Sequence, residues 1–255
     1  MGMFFPDDPN YFPDVRPTGF PRYRQVLERD WKRLLLTNLL TLVSLVPFGL
    51  GVGYAVLSSS VLVLVPVCVV GGAIAGVGIS GMYDRILRGL RDDEDDWWYT
   101  YKKALRQNWR CAILPGIVSC LFIGFYIFAC YMLWVSGQAV SAGTVAILAA
   151  SAILFLVVFS LWWPQIVLFD QRTSVRLKNC ILFCIQNFWR TFGVAALQFV
   201  WWLLFVVMLP WTAFLVPVLG VWYPWYLSCF LLYEQLDSAF HIEEQISQAF
   251  GTGED

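Results

Sequence analysis

His241 is the only histidine, and it stands beside Glu243 and Glu244 near the end of the chain. Histidine acid–base catalysis, or a His-rich metal site, needs further partners that this tail does not bring. It reads as a solvated tail residue. The seven cysteines, at 68, 111, 120, 130, 180, 184 and 229, contain no Cys-x-x-Cys pair. Cys180 and Cys184 share a helix face, but two thiols without imidazoles make a poor metal site. All seven read as reduced, apolar packing residues. The run Gly71-Gly72-Ala73-Ile74-Ala75-Gly76-Val77-Gly78 lacks the Lys-Ser/Thr of a phosphate loop. Its small residues at 72, 76 and 80 suit close helix packing instead. No catalytic residue, metal ligand or cofactor is expected, and the chain is expected not to be an enzyme.

The elements that carry these residues follow from where the charges lie. Of 255 residues 59% are apolar and 14% charged, against roughly 25% charged in a soluble domain. With 17 Lys plus Arg against 18 Asp plus Glu, the net charge of -1 offers nucleic acid no attraction. Three stretches, 34–83, 111–169 and 191–233, hold no Asp, Glu, Lys, Arg or His. A crossing helix takes about 20 apolar residues, so each stretch accommodates two. Spans are predicted near 34–53, 61–82, 112–134, 145–168, 191–209 and 214–233, an all-α integral membrane fold of three hairpins. In the third and shortest hairpin, Pro210 and Pro217 predict a tight turn or a helix that stops short of the far surface.

All 17 Lys and Arg residues lie outside the hairpins. Six precede the first, seven lie between the first and second, and four between the second and third. The three turns within hairpins have none. By the positive-inside rule both termini are expected in the cytoplasm, with the lipid bilayer as the protein's first partner. Residues 1–22 are interrupted by Pro6, Pro9, Pro13, Pro17 and Pro21 and lack an apolar core, so the first span is expected to direct insertion. The predicted organisation is a Pro-rich cytoplasmic segment (1–22), a membrane domain (23–233, with hairpins at 34–83, 111–169 and 191–233) and an acidic cytoplasmic tail (234–255).

An internal threefold repeat joins these parts. Before each hairpin comes a polar-to-aromatic signature ending in a base: Asp30-Trp31-Lys32, Asn108-Trp109-Arg110 and Asn187-Phe188-Trp189-Arg190. Apolar residues recur at helical spacing upstream of each, which predicts three interfacial elbow helices on the inner leaflet. After each hairpin an aromatic residue precedes an acid: Tyr83-Asp84, Phe169-Asp170 and Tyr233-Glu234. An acid at a helix C-terminus opposes the helix dipole and needs compensation. Either the helix continues, with Arg88 four residues beyond Asp84, or the acid meets an elbow base. The second option predicts a ring in which Asp84, Asp170 and Glu234 contact bases such as Lys32, Arg110 and Arg190. With Trp31, Trp109 and Trp189, these residues form the candidate cytoplasmic platform for partners. Asn38, Gln165 and Gln198 are the amides well inside the spans, and interhelical hydrogen bonds are their expected role.

Met1-Gly2-Met3-Phe4-Phe5, the stretch from Gly81-Met82-Tyr83-Asp84-Arg85 to Arg91-Asp92-Asp93-Glu94, the elbow 101–110 and Leu177-Lys178-Asn179 leading to Asn187-Phe188-Trp189-Arg190 resemble the YesL-like family of small bacterial membrane proteins. The resemblance implies six spans in the plasma membrane of a bacterial cell and a link to carbohydrate-uptake transporters and sensor kinases. It brings no catalytic residues. An ion-coupled transporter needs an ionisable group within the bilayer, and the spans contain none. Two readings remain. One is an accessory subunit that docks partners, such as permease subunits of an ABC-type importer or a sensor kinase, through the elbow platform. The other is a stand-alone facilitator or channel for a neutral solute such as a sugar.

Overall fold

The computed structural model describes residues 17–92, 96–137 and 139–244. Most of the Pro-rich segment, the centre of the acidic run at 91–96 and the end of the acidic tail lie outside the described residues. Seven α-helices follow in order: α1 (Phe20–Leu57), α2 (Val61–Arg91), α3 (Trp97–Val135), α4 (Ala142–Leu168), α5 (Thr173–Gln186), α6 (Phe188–Val207) and α7 (Trp222–Phe240). A 3₁₀ turn (Ala213–Leu215) and a π turn (Val216–Gly220) lie between the last two. Six segments are long and apolar enough to cross a membrane: α1, α2, α3, α4, α6 and the composite Ala213–Phe240.

Local chemistry explains the ends. The first hairpin turns on three serines, with Ser59 at φ 49° and the Ser58 hydroxyl donating to the Tyr54 carbonyl (2.8 Å). The second turns through Gly137 at φ 63°, and Ser141 caps α4 by accepting from the Thr144 N–H (3.1 Å). Asp96 caps α3, accepting from the Trp98 N–H at 3.0 Å. In the first two hairpins the expected elbow is not a helix of its own. No Gly or Pro falls between 22 and 46 or between 98 and 114, so nothing breaks α1 or α3 and each elbow sequence runs straight into its span. Only the third is set apart, as α5, where Asn187 (φ −118°, ψ 38°) interrupts the helix.

The glycine run positions α2 between two neighbours. Gly71 and Gly78, seven residues apart, share a face that meets α1: a Cβ on Gly71 would sit 2.8 Å from the Phe48 Cα. Gly72 and Gly76, four apart, share the face that meets α3. There a Cβ on Gly76 would lie 2.4 Å from the Ala112 carbonyl oxygen and 2.9 Å from the Gly116 Cα. Small residues thus let three backbones approach where lipid gives no hydrophobic drive between helices. Toward the charged end, Tyr83 of α2 stacks between Trp163 of α4 (ring centroids 6.1 Å apart) and Trp225 of α7 (5.3 Å). This aromatic layer ties the third hairpin to the rest of the core.

Candidate functional site

An arginine cluster forms where α1 and α2 meet at the charged end. The buried face of α1 carries Arg22, Val26, Asp30, Leu34, Thr37 and Thr41, spaced three or four residues apart as one helix face requires. Asp30 is therefore carried into the interior among apolar neighbours, where an unpaired carboxylate is very costly. Arg85, buried in α2, donates to it from Nη2 to Oδ1 at 2.7 Å. Arg29 donates from Nη2 to the other oxygen at 2.8 Å, and Arg33 Nη1 lies 3.4 Å from Oδ1.

Asp92 forms a second centre. It ends α2 in the left-handed region (φ 67°). Its carboxylate accepts from Arg22 Nη2 at 2.6 Å and from Arg29 Nη1. The same two arginines reach the last carbonyls of α2, Leu90 (2.8 Å) and Gly89 (2.6 Å). Cations here satisfy orphan carbonyls and oppose the negative end of the helix dipole. Partial burial pushes the Asp92 carboxyl up, but the hydrogen bonds and charges of Arg22 and Arg29 outweigh it and hold the group below its ordinary value of 3.8.

A carboxylate saturated by guanidinium donors is a poor general base, and arginine does not give up its proton at physiological pH. The cluster's capability is mechanical. It clamps α1 to α2.

The expected ring of acids and elbow bases is not what forms among the described residues. Asp84 is buried and pairs within its own helix with Arg88 at 2.9 Å, the i,i+4 alternative. Asp170 and Glu234 are exposed, and neither makes an ion pair among the described residues. Lys32 lies over Trp31 (5.7 Å) and Arg110 over Trp109 (5.1 Å). Arg190 reaches Gln235, whose amide is oriented to donate to the Leu231 carbonyl (2.9 Å). The physical reason is helical phase. Lys32 follows Asp30 by two residues, about 200° around the helix at 3.6 residues per turn, and so points away from α2. Trp31, Trp109 and Trp189 are exposed beside these bases, as are Trp98 and Lys102, whose ammonium sits 5.1 Å over the ring. Together they make an aromatic and basic rim of the kind found at membrane–water interfaces.

The three amides each bond to a neighbouring element. Asn38 donates to the carbonyls of Val216 (3.3 Å) and Pro217 (2.8 Å) and accepts from the Trp222 N–H (3.3 Å). Gln198 of α6 donates to Ser160 of α4 (3.0 Å) and contacts Ser228 of α7. Gln165 donates to the Leu161 carbonyl in its own helix (3.1 Å) and to the Cys180 sulfur of α5 (3.1 Å). Burial pushes the Cys180 thiol up to about 12, so it stays protonated at neutral pH. Cys68, Cys120 and Cys229 are buried too, and all seven cysteines are free. No group of three His, Cys, Asp or Glu able to hold a metal occurs among the described residues. His241 ends α7 at φ 49°, 3.6 Å from Glu244 and exposed.

Comparison of the chain with family models, with curated proteins and with solved structures finds no match in any of the three.

Sequence reasoning missed Asp30, Arg85, Arg22, Arg29 and Asp92 as one site. A signal was present. Val26, Asp30 and Leu34 are spaced four apart, so an acid sits on an otherwise apolar stripe and demands a base from the facing helix.

Proposed function

We propose that the protein is a non-enzymatic accessory subunit in a bacterial plasma membrane, with both termini cytoplasmic. It serves a carbohydrate-uptake system of the ABC-importer type, or an associated sensor, and docks its partners through the arginine-bearing end. The observation that supports this reading is how the polar groups are used. Asn38, Gln165 and Gln198 bond to neighbouring helices, and the ionisable side chains collect at one end as a clamp with an exposed rim. Polar chemistry used to hold helices together suits a scaffold, whereas a carrier keeps such groups along a path. The carbohydrate assignment rests on the resemblance to the YesL-like family, and the orientation on the placement of Lys and Arg.

Purification from the native membrane in mild detergent tests the proposal. An importer permease or a sensor kinase should co-purify with the wild type, and retention should fall in a Trp109→Ala/Arg110→Ala variant. In liposomes, the isolated protein should neither accumulate a sugar nor pass one down its gradient. Either activity would overturn the accessory reading.

A further inference from the structure

Three exposed bases stand side by side on α3. Lys102, Lys103 and Arg106 are adjacent, three or four residues apart and share the outer side of the helix, while Tyr101 and Ala104 behind them are buried. With Tyr99 and Gln107 they line a surface pocket of about 250 Å³. Like charges at these spacings repel and weaken a helix, so helix stability does not account for them. Of the acids between 84 and 96, the described ones are committed elsewhere. Asp96 accepts from the Trp98 N–H at 3.0 Å, Asp84 pairs with Arg88, and Asp92 pairs with Arg22 and Arg29. Among the described residues none of the three bases makes an ion pair. On α1 the pattern differs: Arg22, Arg29 and Arg33 are tied to Asp30 or Asp92, and Arg24 to Glu28.

The unbroken course of α3 carries this face to the membrane surface. No Gly or Pro separates the pocket from the charge-free stretch that starts at Cys111. Arg106 therefore stands about 7.5 Å before that stretch, and Lys102 about 13.5 Å, at 1.5 Å per residue. Headgroups occupy about 5–8 Å on each side of the hydrocarbon core. Arg106 is at headgroup depth, and the two lysines lie within about one Debye length, about 8 Å, of that layer. Trp109, exposed just before the stretch, marks the interface.

The donors suit a phosphodiester. A guanidinium grips two phosphate oxygens at once, and ammonium groups add charge without a fixed direction. The Tyr99 hydroxyl and the Gln107 amide offer hydrogen bonds to the alcohol of a headgroup such as glycerol. Three cations repel the choline ammonium of a zwitterionic lipid, so the face selects net negative charge. Arg110, one turn further on, extends the cluster toward the span, and bases gathered directly beside a crossing helix attract anionic lipid.

We propose that the face of α3 formed by Tyr99, Lys102, Lys103, Arg106 and Gln107 holds the headgroup of an anionic phospholipid, of the phosphatidylglycerol class, from the leaflet at the charged end of the protein. The site does not depend on the accessory role.

The test titrates the full chain in detergent with phosphatidylglycerol or phosphatidylcholine and reads bound lipid by native mass spectrometry. The wild type should bind its first phosphatidylglycerol more tightly than phosphatidylcholine, and a wild type without that preference would overturn the proposal. In Lys102→Gln/Lys103→Gln/Arg106→Gln the affinity for phosphatidylglycerol should fall about 10–100-fold, and the preference should vanish. Arg24→Gln/Arg172→Gln/Lys178→Gln removes the same charge from other exposed positions and should keep both. All the replaced side chains are exposed, so both variants should melt with the wild type. Equal losses in the two variants would show a response to net charge alone and overturn the site, as would no loss in the first. Displacement of phosphatidylglycerol by inorganic phosphate at constant ionic strength would mark a site for soluble phosphate and overturn the lipid assignment. Unchanged lipid binding together with loss of a co-purifying protein would make this face a protein-docking surface and likewise overturn it.

Discussion

The Asp30 carboxylate of α1 accepts the Arg85 guanidinium of α2 at 2.7 Å, with the two side chains 1% and 4% exposed. Each of these charges would be poorly tolerated at its position without the other, and the pair brings together residues 55 apart in the sequence. Because Arg29 also touches Asp30 and Asp92, the two carboxylates act in one network.

Removing one partner should therefore cost more than the pair contributes. Asp30→Asn leaves Arg85 buried without a counter-charge, and we expect a loss of about 3–5 kcal/mol. Replacing both, as Asp30→Asn with Arg85→Gln, should recover part of it. Glu28→Gln breaks an exposed pair with Arg24 and should leave the melting temperature unchanged. Thermal denaturation in detergent decides the matter, and equal effects of Asp30→Asn and Glu28→Gln would refute the clamp.

The α2–α3 contact makes a second, independent demand. Gly76→Ala would place a methyl 2.4 Å from the Ala112 oxygen, which is backbone and has no rotamer to move. Overpacking of this kind costs about 1–3 kcal/mol. Gly53→Ala meets nothing within 4 Å and should be neutral or stabilising by about 0.5–1 kcal/mol. If both variants melt alike, the close approach of α2 and α3 is wrong.

The helices were legible because charge exclusion from the bilayer writes their limits directly. The three charge-free stretches coincide with paired apolar helices, and Gly72 and Gly76 do meet a neighbour's backbone. The elbows were less legible. Trp and base residues mark the interface whether a helix bends there or runs on, and only Asn187 supplies a break. The ring failed for a similar reason. Repeat position says which residues are equivalent, but helical phase decides what they touch, and phase sent Asp30 inward and Lys32 outward. Asp30–Arg85 could be anticipated from the stripe containing Asp30, yet the choice of Arg85 as its partner depends on the register of α1 against α2, which no local pattern carries.

Asp92 gives the clamp a pH dependence. Its carboxyl is held below 3.8 by Arg22 and Arg29, so the folded state binds this proton less readily than the unfolded chain does. The stabilisation is complete above the unfolded value of 3.8 and is lost as pH falls through the lower folded value. Wild type should therefore be more stable than Asp92→Asn at neutral pH, and the gap should close as the pH drops below about 3.8. A gap that stays constant down to about pH 3 would show that Asp92 is not held by these arginines.

Asn38 stands where the helix of the third hairpin is broken. The π turn and the start of α7 present the Val216 and Pro217 carbonyls and the Trp222 N–H to Asn38, and one side chain bonds to all three. Asn38→Leu keeps the branched outline of the side chain, with bulkier methyl ends, but strips these bonds. With about 1 kcal/mol net per hydrogen bond, and more where a buried group is left unsatisfied, the cost is about 2–4 kcal/mol. Asn38→Asp should be no better, since a carboxylate would face two carbonyl oxygens while retaining only the bond from Trp222. Hydrogen exchange locates the effect: amides from 215 to 226 should lose protection in Asn38→Leu, while those of α2 and α3 keep theirs. Uniform loss across all helices would mean that Asn38 supports the whole bundle, and no loss at 215–226 would mean that it does not hold the break at all.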